Sequence, residues 1–402
     1  MPSPLYGKKI LLGVCGSIAA FKSCEFVRNL RKCGAEVTVL LTSGGERFVS
    51  RLSFAALSAN KVYGGMFAPD EEHRIPHITL SRDHDLILIA PCTAQTISRL
   101  AHGEADDLLS AVVLAATIPV VVCPAMNTNM FNHPATQKNL QTLKEYGYRI
   151  VDPESGKMAC DEEGPGRLAE WDDIFFQLES LFLPQDLVGT KILVTAGPTE
   201  EPLDPVRFLS NNSSGKMGYA LARAASLRGA EVTLVSGPVS LPPPVVHCFE
   251  SVRQAGEMQE RVQHHFDGSD ILIMVAAVSD FRPAKYAKQK LKKHAGALQL
   301  PLCGNEDILL SLRQMQKKQF MVGFAAESEK HIESGLDKLK RKNLNMIVVN
   351  DIASIDTGFK AETNAVTILH ATGESVDVAL CSKDEISLII LDEIVAHLGE
   401  TP

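Results

Sequence analysis

Residues 8–45 read KKILLGVCGSIAAFKSCEFVRNLRKCGAEVTVLLTSGG, which predicts a strand, a glycine-containing turn, a helix, a glycine and a second strand. Continuous apolar strands joined by amphipathic helices are typical of a parallel sheet that is covered by helices on both faces. Three further apolar segments continue this sheet: DLILIAP (85–91), IPVVVCPAM (118–126) and YRIVDP (148–153). We therefore expect an α/β fold built on a doubly wound parallel sheet.

The second half of the chain restarts the same pattern. Its successive parts are KILVTAGPTEEP (191–202), a helical segment near 216–228, GAEVTLVSGP (229–238) and DILIMVA (270–276). We predict a second doubly wound domain and place the boundary within FLPQDLVGT (182–190), which divides the chain into domains 1–187 and 188–402. In such sheets ligands bind at the carboxyl ends of the strands, so both sites are expected there.

The composition is that of a soluble globular protein, with 45% hydrophobic and 22% charged residues. A net charge of −8 argues against a general role in binding nucleic acid or membrane surfaces. The nine cysteines are scattered and form no C-x-x-C pair, and the N-terminus shows no signal-peptide pattern. Both features indicate reduced thiols in a cytoplasm. The uncharged run 108–126 is interpreted as a buried helix and a buried strand, because Pro119 interrupts it.

The turn after the first predicted strand is a candidate phosphate site. GVCGSIAAFK (13–22) has fewer glycines than a full G-x-G-x-x-G fingerprint. Its backbone N–H groups and the Ser17 hydroxyl suit a phosphate at a helix N-terminus. The alternative is that Ser17 only caps the helix.

A second candidate, PAMNTNMFNHPATQKNL (124–140), directly follows a buried strand. Asn127 and Asn129 each offer hydrogen-bond donors and acceptors. Met126 and Met130 suit contact with a flat aromatic ligand. The alternative is an ordinary turn followed by a helix that starts at the His-Pro pair.

Two further residues suit proton transfer. His77, in RIPHITL (74–80), has a side chain that exchanges protons near neutral pH, although a lone histidine is more often a packed or surface residue. Cys160 lies in MACDEEGPGRLAE (158–170), beside three acidic residues. It has neither the apolar surroundings of a structural cysteine nor the nearby partner of a metal-binding one.

Five segments of the first half, in this order and spacing, resemble the flavin-dependent cysteine decarboxylases that act on phosphopantothenoylcysteine. They are GSIAAFKS, PHITL, APCTA, PAMNTNM and ACDEEGPGRLAE. The resemblance implies a flavodoxin-like sheet that binds FMN, which would supply the electron sink that loss of an α-carboxylate requires. It implies an FMN site formed by Gly16, Ser17, Thr42, Phe48, Thr93, Ala94 and Met126.

The same resemblance implies three catalytic residues. His77 would take the substrate thiol proton, Asn127 would orient the substrate carboxylate, and Cys160 would protonate the enethiol product. The chain departs from the family pattern at the edge of the pocket, and the departing residues are Gln95, Asp106 and Phe131. These departures concern fine contacts more than the reaction.

The acidic residues beside Cys160 fit the role of a proton donor. Nearby carboxylates favour the neutral thiol, whereas a nucleophilic cysteine needs positive neighbours. Gly164, Pro165 and Gly166 predict a turn-rich segment that closes over the substrate as a lid, with Arg167 as its anchor and a substrate contact.

In the second half, SSGKMG (213–218) resembles a P-loop only superficially, because Ser210 and Met217 stand where a Walker A motif needs other residues. Because the segment lies at a helix start, it can still bind an anion. The alternative is that it only caps the helix. A lysine-rich run, 285–293, follows a buried strand. Such a run is normally a solvated face, but here it lies beside the expected ligand edge and can reach phosphoryl charge.

This half resembles phosphopantothenoylcysteine synthetase, the ligase that joins 4′-phosphopantothenate to cysteine. The matching segments are TAGPTEEPLDPVRFLSNNSSGKMG, AAVSDF, KLKK, GFAAES and VVND. The resemblance implies CTP as co-substrate, Mg2+ bound mainly through the nucleotide phosphates, and an acyl-CMP intermediate. It implies Asn211 at the intermediate, Lys290 at the step that consumes it, and Asp280, Phe324, Ala325, Lys342 and again Lys290 around the nucleotide or substrate.

Together the two resemblances imply a bifunctional, cytoplasmic enzyme of coenzyme A biosynthesis that acts on small molecules. Its assembly would be a dodecamer built from decarboxylase trimers and ligase dimers. One alternative is an NAD(P)-dependent oxidoreductase, although Thr42 and Ser43 stand where an acidic residue would be needed. The other is a non-catalytic flavin-binding regulatory protein, although His77, Asn127 and Cys160 are all present.

Overall fold

The computed structural model describes residues 3–67, 75–157, 161–292, 299–315, 317–327, 331–351 and 363–399. Its internal contacts divide the chain between Leu183 and Pro184 into two compact units. In neither unit do the described residues include a helix that is both long and apolar enough to cross a bilayer.

The first unit alternates strands and helices along the chain. Its strands are β1 (Lys9–Val14), β2 (Glu36–Leu41), β3 (Val62–Tyr63), β4 (Leu86–Cys92), β5 (Val120–Pro124), β6 (Arg149–Ile150), β7 (Glu154–Lys157) and β8 (Glu163–Arg167). Its α-helices are α1 (Lys22–Lys32), α2 (Arg51–Ser58), α3 (Pro76–Arg82), α4 (Ala94–His102), α5 (Leu108–Ala115), α6 (Thr128–Asn132), α7 (Pro134–Glu145) and α8 (Trp171–Ser180). Two short 3-10 helices cover Ile18–Phe21 and Gly45–Arg47.

Six of these strands form one parallel sheet in the order β3-β2-β1-β4-β5-β6. Without the two-residue edge strand β3, the order of the other five is the flavodoxin order 2-1-3-4-5. Strand β4 is buried along its whole length, because apolar side chains pack on both faces of the sheet. The predicted fold class is therefore confirmed, and the run 108–126 is the helix α5 followed by the strand β5.

The second unit has a larger sheet. Its strands are β9 (Lys191–Ala196), β10 (Glu200–Pro202), β11 (Phe208–Ser210), β12 (Glu231–Ser236), β13 (Cys248–Ser251), β14 (Ile271–Met274), β15 (Phe281–Pro283), β16 (Leu302–Gly304), β17 (Phe320–Glu327), β18 (Met346–Asp351), β19 (Thr363–His370) and β20 (Ser375–Ser382). Its helices are α9 (Lys216–Leu227), α10 (Ala255–Phe266), α11 (Ile308–Leu312), α12 (His331–Lys342) and α13 (Lys383–Gly399).

Six parallel strands of this unit run in the Rossmann-like order β13-β12-β9-β14-β17-β18, which confirms the predicted architecture. Strands β19 and β20 add an antiparallel hairpin that the sequence analysis did not predict. Its tight turn contains Gly373 at φ +98°, and His370 N–H donates to the Glu374 carbonyl across it. Helix α13 then packs on α9 and on both strands of the hairpin.

Candidate active sites

In the first unit, the loops after β1 and β2 touch through glycine backbones. A Cβ on Gly16 would lie 2.8 Å from Gly44 Cα, so only glycine allows this approach without a shift. Thr42 fixes the second loop, because its hydroxyl accepts from Gly45 N–H at 3.1 Å and lies 3.4 Å from the Val14 carbonyl. Gly16 and Thr42, two residues of the predicted cofactor site, therefore meet at the carboxyl edge of the sheet.

Two helix starts face the same edge. Ser17 caps the turn that leads into α1, where its hydroxyl accepts from Ala19 N–H at 3.3 Å. Thr93 caps α4, which begins at Ala94, by accepting from Thr96 N–H at 3.4 Å. The capping role of Ser17 is therefore confirmed, and both helical segments begin at the carboxyl ends of neighbouring strands, where N–H groups suit an anionic phosphate.

A buried thiol pair underlies these helix starts. Thr96 Oγ1 donates to Cys15 Sγ at 3.2 Å, between the end of β1 and the start of α4. A hydrogen bond with the Cys92 side chain lowers the pKa of Cys15 in spite of its burial. Burial raises the pKa of Cys92 well above its ordinary value, and the bond with Cys15 raises it further. Sequence analysis missed this pair, because two cysteines that are far apart in the chain show no motif.

Asn127 is held in a defined orientation at the end of β5. It is the N-cap of α6, and its side-chain oxygen accepts from Asn129 N–H at 2.8 Å and Met130 N–H at 3.4 Å. Its side-chain nitrogen donates to the Glu162 carboxylate. Because the Asn127 side-chain oxygen accepts the N–H groups of the helix cap, the side-chain nitrogen is the atom that can donate to a carboxylate. The alternative for this segment was an ordinary turn followed by a helix from the His-Pro pair. The helix from the His-Pro pair is present as α7, but the short helix α6 takes the place of part of the turn.

The prediction of a turn at Gly164–Gly166 is wrong. These residues lie in β8, which pairs antiparallel with β7. Gly166 at φ +142° brings β8 against the segment that follows β5, since Met126 N–H donates to the Gly166 carbonyl at 2.9 Å and a side chain at Gly166 would overlap the Met126 carbonyl. Arg167 is the last residue of β8, and its guanidinium lies 3.7 Å from the Glu170 carboxylate. Cys160, between the two strands, lies outside the described residues.

His77 and Phe48 occupy two other elements of this unit. His77 follows Pro76 in the first turn of α3 and is half-buried, and α3 packs on α5. Phe48 ends the short helix after β2 and leaves 51% of its surface exposed, which suits contact with a ligand or another chain.

The departure at Asp106 has a structural explanation. Arg99 of α4 lies 3.0 Å from the Asp106 carboxylate and 2.9 Å from that of Asp107. Asp107 also caps α5. Asp106 therefore contributes to an ion-pair network that joins α4 to α5, and Gln95 is an exposed residue in the first turn of α4.

In the second unit, a cavity of about 490 Å³ opens at the carboxyl edge of the sheet. It lies where the strand order reverses between β9 and β14, as expected for a doubly wound sheet. The cavity wall includes five of the residues predicted to bind substrate or nucleotide, namely Asn211, Asp280, Phe324, Ala325 and Lys342.

Side-chain amides fix the loop after β14. Asn211 donates to the carbonyls of Ala277 and Val278, each at 3.1 Å. Asn305 donates to the Ser279 carbonyl at 2.7 Å, and its own N–H donates to the Asp280 carbonyl at 2.8 Å. The main chain from Ala277 to Asp280 is thus fixed by hydrogen bonds with Asn211 and Asn305, without a ligand.

The start of α9 is a further part of the wall. Gly215 occupies the N-cap in the left-handed region at φ +75° and offers no capping side chain. The Ser213 hydroxyl accepts from Gly215 N–H at 3.4 Å. A plain side-chain cap of this helix was the alternative to an anion site. The helix instead begins at a glycine turn, and the residues of its first turn line the cavity with their N–H groups.

An ion pair lies on the opposite wall. Lys342, with 19% of its side chain exposed, lies 2.8 Å from the carboxylate of Asp307. Asp307 also caps α11 by accepting from Leu310 N–H at 3.2 Å. Carboxylate oxygens from Asp307 and Asp280 in one cavity are the hard ligands that Mg2+ prefers.

Three polar residues of this cavity were missed by sequence analysis. Asn350 is the next-to-last residue of β18, Asn364 is the second residue of β19 and Lys383 begins α13, and the last two are buried. Each is a polar residue beside an apolar strand or helix, a signal that is too common to single them out. Their convergence depends on the unpredicted antiparallel strand β19.

Lys290 is exposed and is not among the described residues that line the cavity. Its segment is held by the buried Asp204, whose carboxylate accepts from Leu291 N–H at 3.1 Å. Burial would raise the pKa of Asp204, but backbone N–H donors from Val206, Leu291 and Arg207 lower it overall. This anchor fixes the main chain next to Lys290.

Comparisons with known proteins cover both units. The family described as Flavoprotein matches residues 2–182, and the DNA/pantothenate metabolism flavoprotein C-terminal domain matches residues 187–398. The chain is 43% identical over 401 residues to the coenzyme A biosynthesis bifunctional protein CoaBC of Bacillus subtilis, with 99% of each chain covered. It is 43% identical over 401 residues to CoaBC of Escherichia coli, with 98% of each covered.

Two solved structures are similar to parts of the chain. The C-terminal domain of a CoaBC protein is 41% identical and covers 54% of this chain and 100% of its own, with a TM-score of 0.47. A PPC decarboxylase mutant complexed with pantothenoylaminoethenethiol is 30% identical and covers 43% of this chain and 96% of its own, with a TM-score of 0.39.

Proposed function

The chain belongs to the family of coenzyme A biosynthesis bifunctional proteins, and from this premise we propose which of its residues perform the two reactions. As a member it carries a phosphopantothenoylcysteine decarboxylase and a phosphopantothenate–cysteine ligase, both acting on small molecules. We assign the decarboxylase to residues 1–187 and the ligase to residues 188–402. The alternative of a nicotinamide-dependent oxidoreductase is not favoured.

The loops at the edge of the first sheet fit FMN. The glycine contact between Gly16 and Gly44 leaves main-chain N–H groups close to the helix starts at Ser17 and Thr93, where the FMN phosphate would bind. Met126 and the exposed ring of Phe48 would contact the flavin ring, with Thr42 and Ala94 completing the site. When bound, FMN supplies the electron sink for decarboxylation.

The single observation that carries the decarboxylase assignment is the orientation of Asn127. Its amide nitrogen donates to the Glu162 carboxylate, the same chemistry as holding the carboxylate of the substrate. His77, which is half-buried, would accept the thiol proton as a general base. Cys160 would give a proton to the enethiol while the two electrons accepted by FMN are returned to it, and Arg167 would help to hold the substrate.

The ligase proposal is supported by the cavity between β9 and β14. The N-terminus of α9 and Lys342 suit the phosphates of a nucleotide, and Asp280 with Asp307 suits Mg2+. We propose CTP as that nucleotide, with Phe324 and Ala325 beside it. Asn211 would contact the acyl phosphate of the intermediate, and Lys290 would enter when cysteine attacks.

Location and assembly follow from the same proposal. We propose a cytoplasmic enzyme, assembled as a dodecamer from decarboxylase trimers and ligase dimers. Sedimentation of the purified chain measures the assembly directly, and a monomer at micromolar concentration would contradict it.

The proposed function is tested on purified full-length protein after its visible spectrum has been recorded. It is given 4′-phosphopantothenate, cysteine, Mg2+ and either CTP or ATP, and pyrophosphate and CO2 are followed together. Pyrophosphate with CTP alone, followed by CO2 from a yellow protein, is the expected result. Pyrophosphate with ATP as readily as with CTP would overturn the nucleotide assignment.

The role of Cys160 is tested with supplied phosphopantothenoylcysteine. Cys160→Ser should retain FMN and release CO2 but accumulate the unreduced enethiol, because the hydroxyl is a far weaker acid than the thiol. Cys24→Ser, a partly buried cysteine on α1, is the matched control. Full turnover by the Cys160 variant would remove this residue from the mechanism.

A further inference from the structure

A cluster of metal-ligating side chains lies in the second unit, away from the cavity. It consists of His370 at the end of β19, and Glu393 and His397 on α13. His370 pairs with Met346, the first residue of β18, so it lies at the edge of the sheet opposite to the carboxyl ends of the parallel strands. The cavity proposed for the ligase reaction lies at the carboxyl edge instead.

The three side chains are close enough to share one ion. Their ligand atoms all lie within 4.8 Å of one another. His370 Nε2 is 3.1 Å from Glu393 Oε2, which is close to the edge of a tetrahedron with metal–ligand distances of about 2.0–2.1 Å. A second carboxylate, that of Glu374, lies 3.9 Å from His397 Nε2.

His370 is almost completely buried, with 1% of its side chain exposed. Among the described residues, no group forms a hydrogen bond of acceptable geometry with either of its ring nitrogens, in spite of the short distance to Glu393. Buried polar atoms normally have a partner, and an imidazole nitrogen without one is suited to a metal.

His397 is prepared for the same role. Its Nδ1 lies 2.9 Å from the Glu393 carbonyl, so this nitrogen carries the proton and donates it to the backbone. The lone pair is then on Nε2, the atom that faces the cluster. Metal-binding histidines usually donate their second ring N–H in this way, which fixes the tautomer and the ring orientation.

We propose that His370, Glu393 and His397 bind a zinc-class divalent cation, with Glu374 as the fourth ligand. Two neutral imidazoles and two carboxylates balance the charge of the ion and suit tetrahedral zinc coordination. The two rings stack with centroids 4.0 Å apart and an interplanar angle of 3°, so coordination tilts them out of parallel. The ion joins α13 to the β19–β20 turn and serves a structural role.

The test uses the full-length protein, stripped with a chelator and kept in excess Mg2+ so that the ligase cavity is not counted. Zn2+ is titrated calorimetrically, and Co2+ serves as the spectroscopic probe. The wild type should bind one Zn2+ per chain at this site, raise the unfolding temperature of the second unit, and give the visible spectrum of tetrahedral Co2+ without thiolate absorption.

His397→Gln and Glu393→Gln should each weaken binding by at least about tenfold. His264→Gln is the matched control, because the His264 ring also contacts a neighbouring histidine, edge to face, but lies on α10 outside the cluster. Since both test positions are partly exposed, the variants should fold even if His370→Gln does not. Equal Zn2+ affinity in wild type and both variants, an octahedral Co2+ spectrum, or no Zn2+ bound would overturn the proposal.

Discussion

Replacing Gly16 by alanine tests whether the glycine contact between the first two loops is needed to hold FMN. The added Cβ would lie 2.8 Å from Gly44 Cα and 2.9 Å from its carbonyl carbon. Ordinary contacts of this kind start at 3.4 Å, so the loops must separate by 3.4 − 2.8 = 0.6 Å. Both atoms belong to the main chain, and no side chain can rotate to relieve the overlap.

The cost can be estimated from overpacking in other proteins, about 1–3 kcal/mol. If these two loops bind FMN, separating them reduces the free energy of FMN binding by this amount. At 1.4 kcal/mol per factor of ten, FMN affinity should drop about 5- to 150-fold. Gly44→Ala should have a smaller effect, because its Cβ would lie 3.1 Å from Gly16 Cα and needs only a few tenths of an ångström.

FMN retention is measured by absorbance and by fluorescence titration of the stripped protein, with CO2 release as the second readout. Gly65→Ala is the matched control, since a Cβ there meets nothing within 4 Å. Pyrophosphate release by the ligase half serves as an internal reference and should stay constant in all variants. If Gly16→Ala binds FMN as tightly as Gly65→Ala, the steric argument is wrong, and a parallel loss of ligase activity would indicate general unfolding instead.

Three predictions concern the second unit. The depressed pKa of Asp204 means that its contribution to stability is complete above the ordinary value of 3.8 and is lost as pH falls towards the folded-state value. Asp204→Asn should therefore lower the unfolding temperature more at pH 7 than at a pH below 3.8, and an equal difference at both pH values would contradict this. Lys342→Met should reduce the ligase kcat/KM by about 10- to 100-fold, because it removes a cation from the nucleotide site and leaves Asp307 without this partner, while CO2 release from supplied substrate stays unchanged. An unchanged ligase would exclude Lys342 from the site. Arg228 is buried between two partly exposed aspartates at 2.5 and 2.6 Å, so Arg228→Met should destabilise the unit by about 1–3 kcal/mol after allowance for solvent screening. Calorimetry checks this against Arg261→Met, an exposed arginine on α10, and equal unfolding temperatures would refute it.

Much of the fold is contained in local sequence. The strands in 85–91, 118–126 and 270–276 are visible because a strand buried on both faces must be apolar along its length. The order of such strands and helices allows few chain topologies, and ligand loops then fall at their carboxyl ends. Asn127 could be singled out for this reason, since it follows β5 at that edge, whereas Asn211 and Asp280 were predicted from the resemblance to the ligases.

The antiparallel hairpin β19–β20 and the strand β8 were not recognised. Strand β19 alternates buried and half-exposed residues next to a more polar β20, a weaker signal than a continuous apolar run. In β8, the Gly-Pro-Gly run predicts a turn from composition. The close approach of Gly166 to Met126 instead gives these glycines a place in a strand.

By itself, the sequence determined the two doubly wound domains, their order and the motifs at their ligand edges, because these depend on periodicity and on neighbours along the chain. Only the tertiary structure decided which distant residues meet: Asn364 and Lys383 in the cavity of the second unit, Asp204 beneath Leu291, and His370 beside His397. Each of these contacts joins segments whose separate patterns are ordinary. Their chemistry arises from register and packing between elements, which no local pattern encodes.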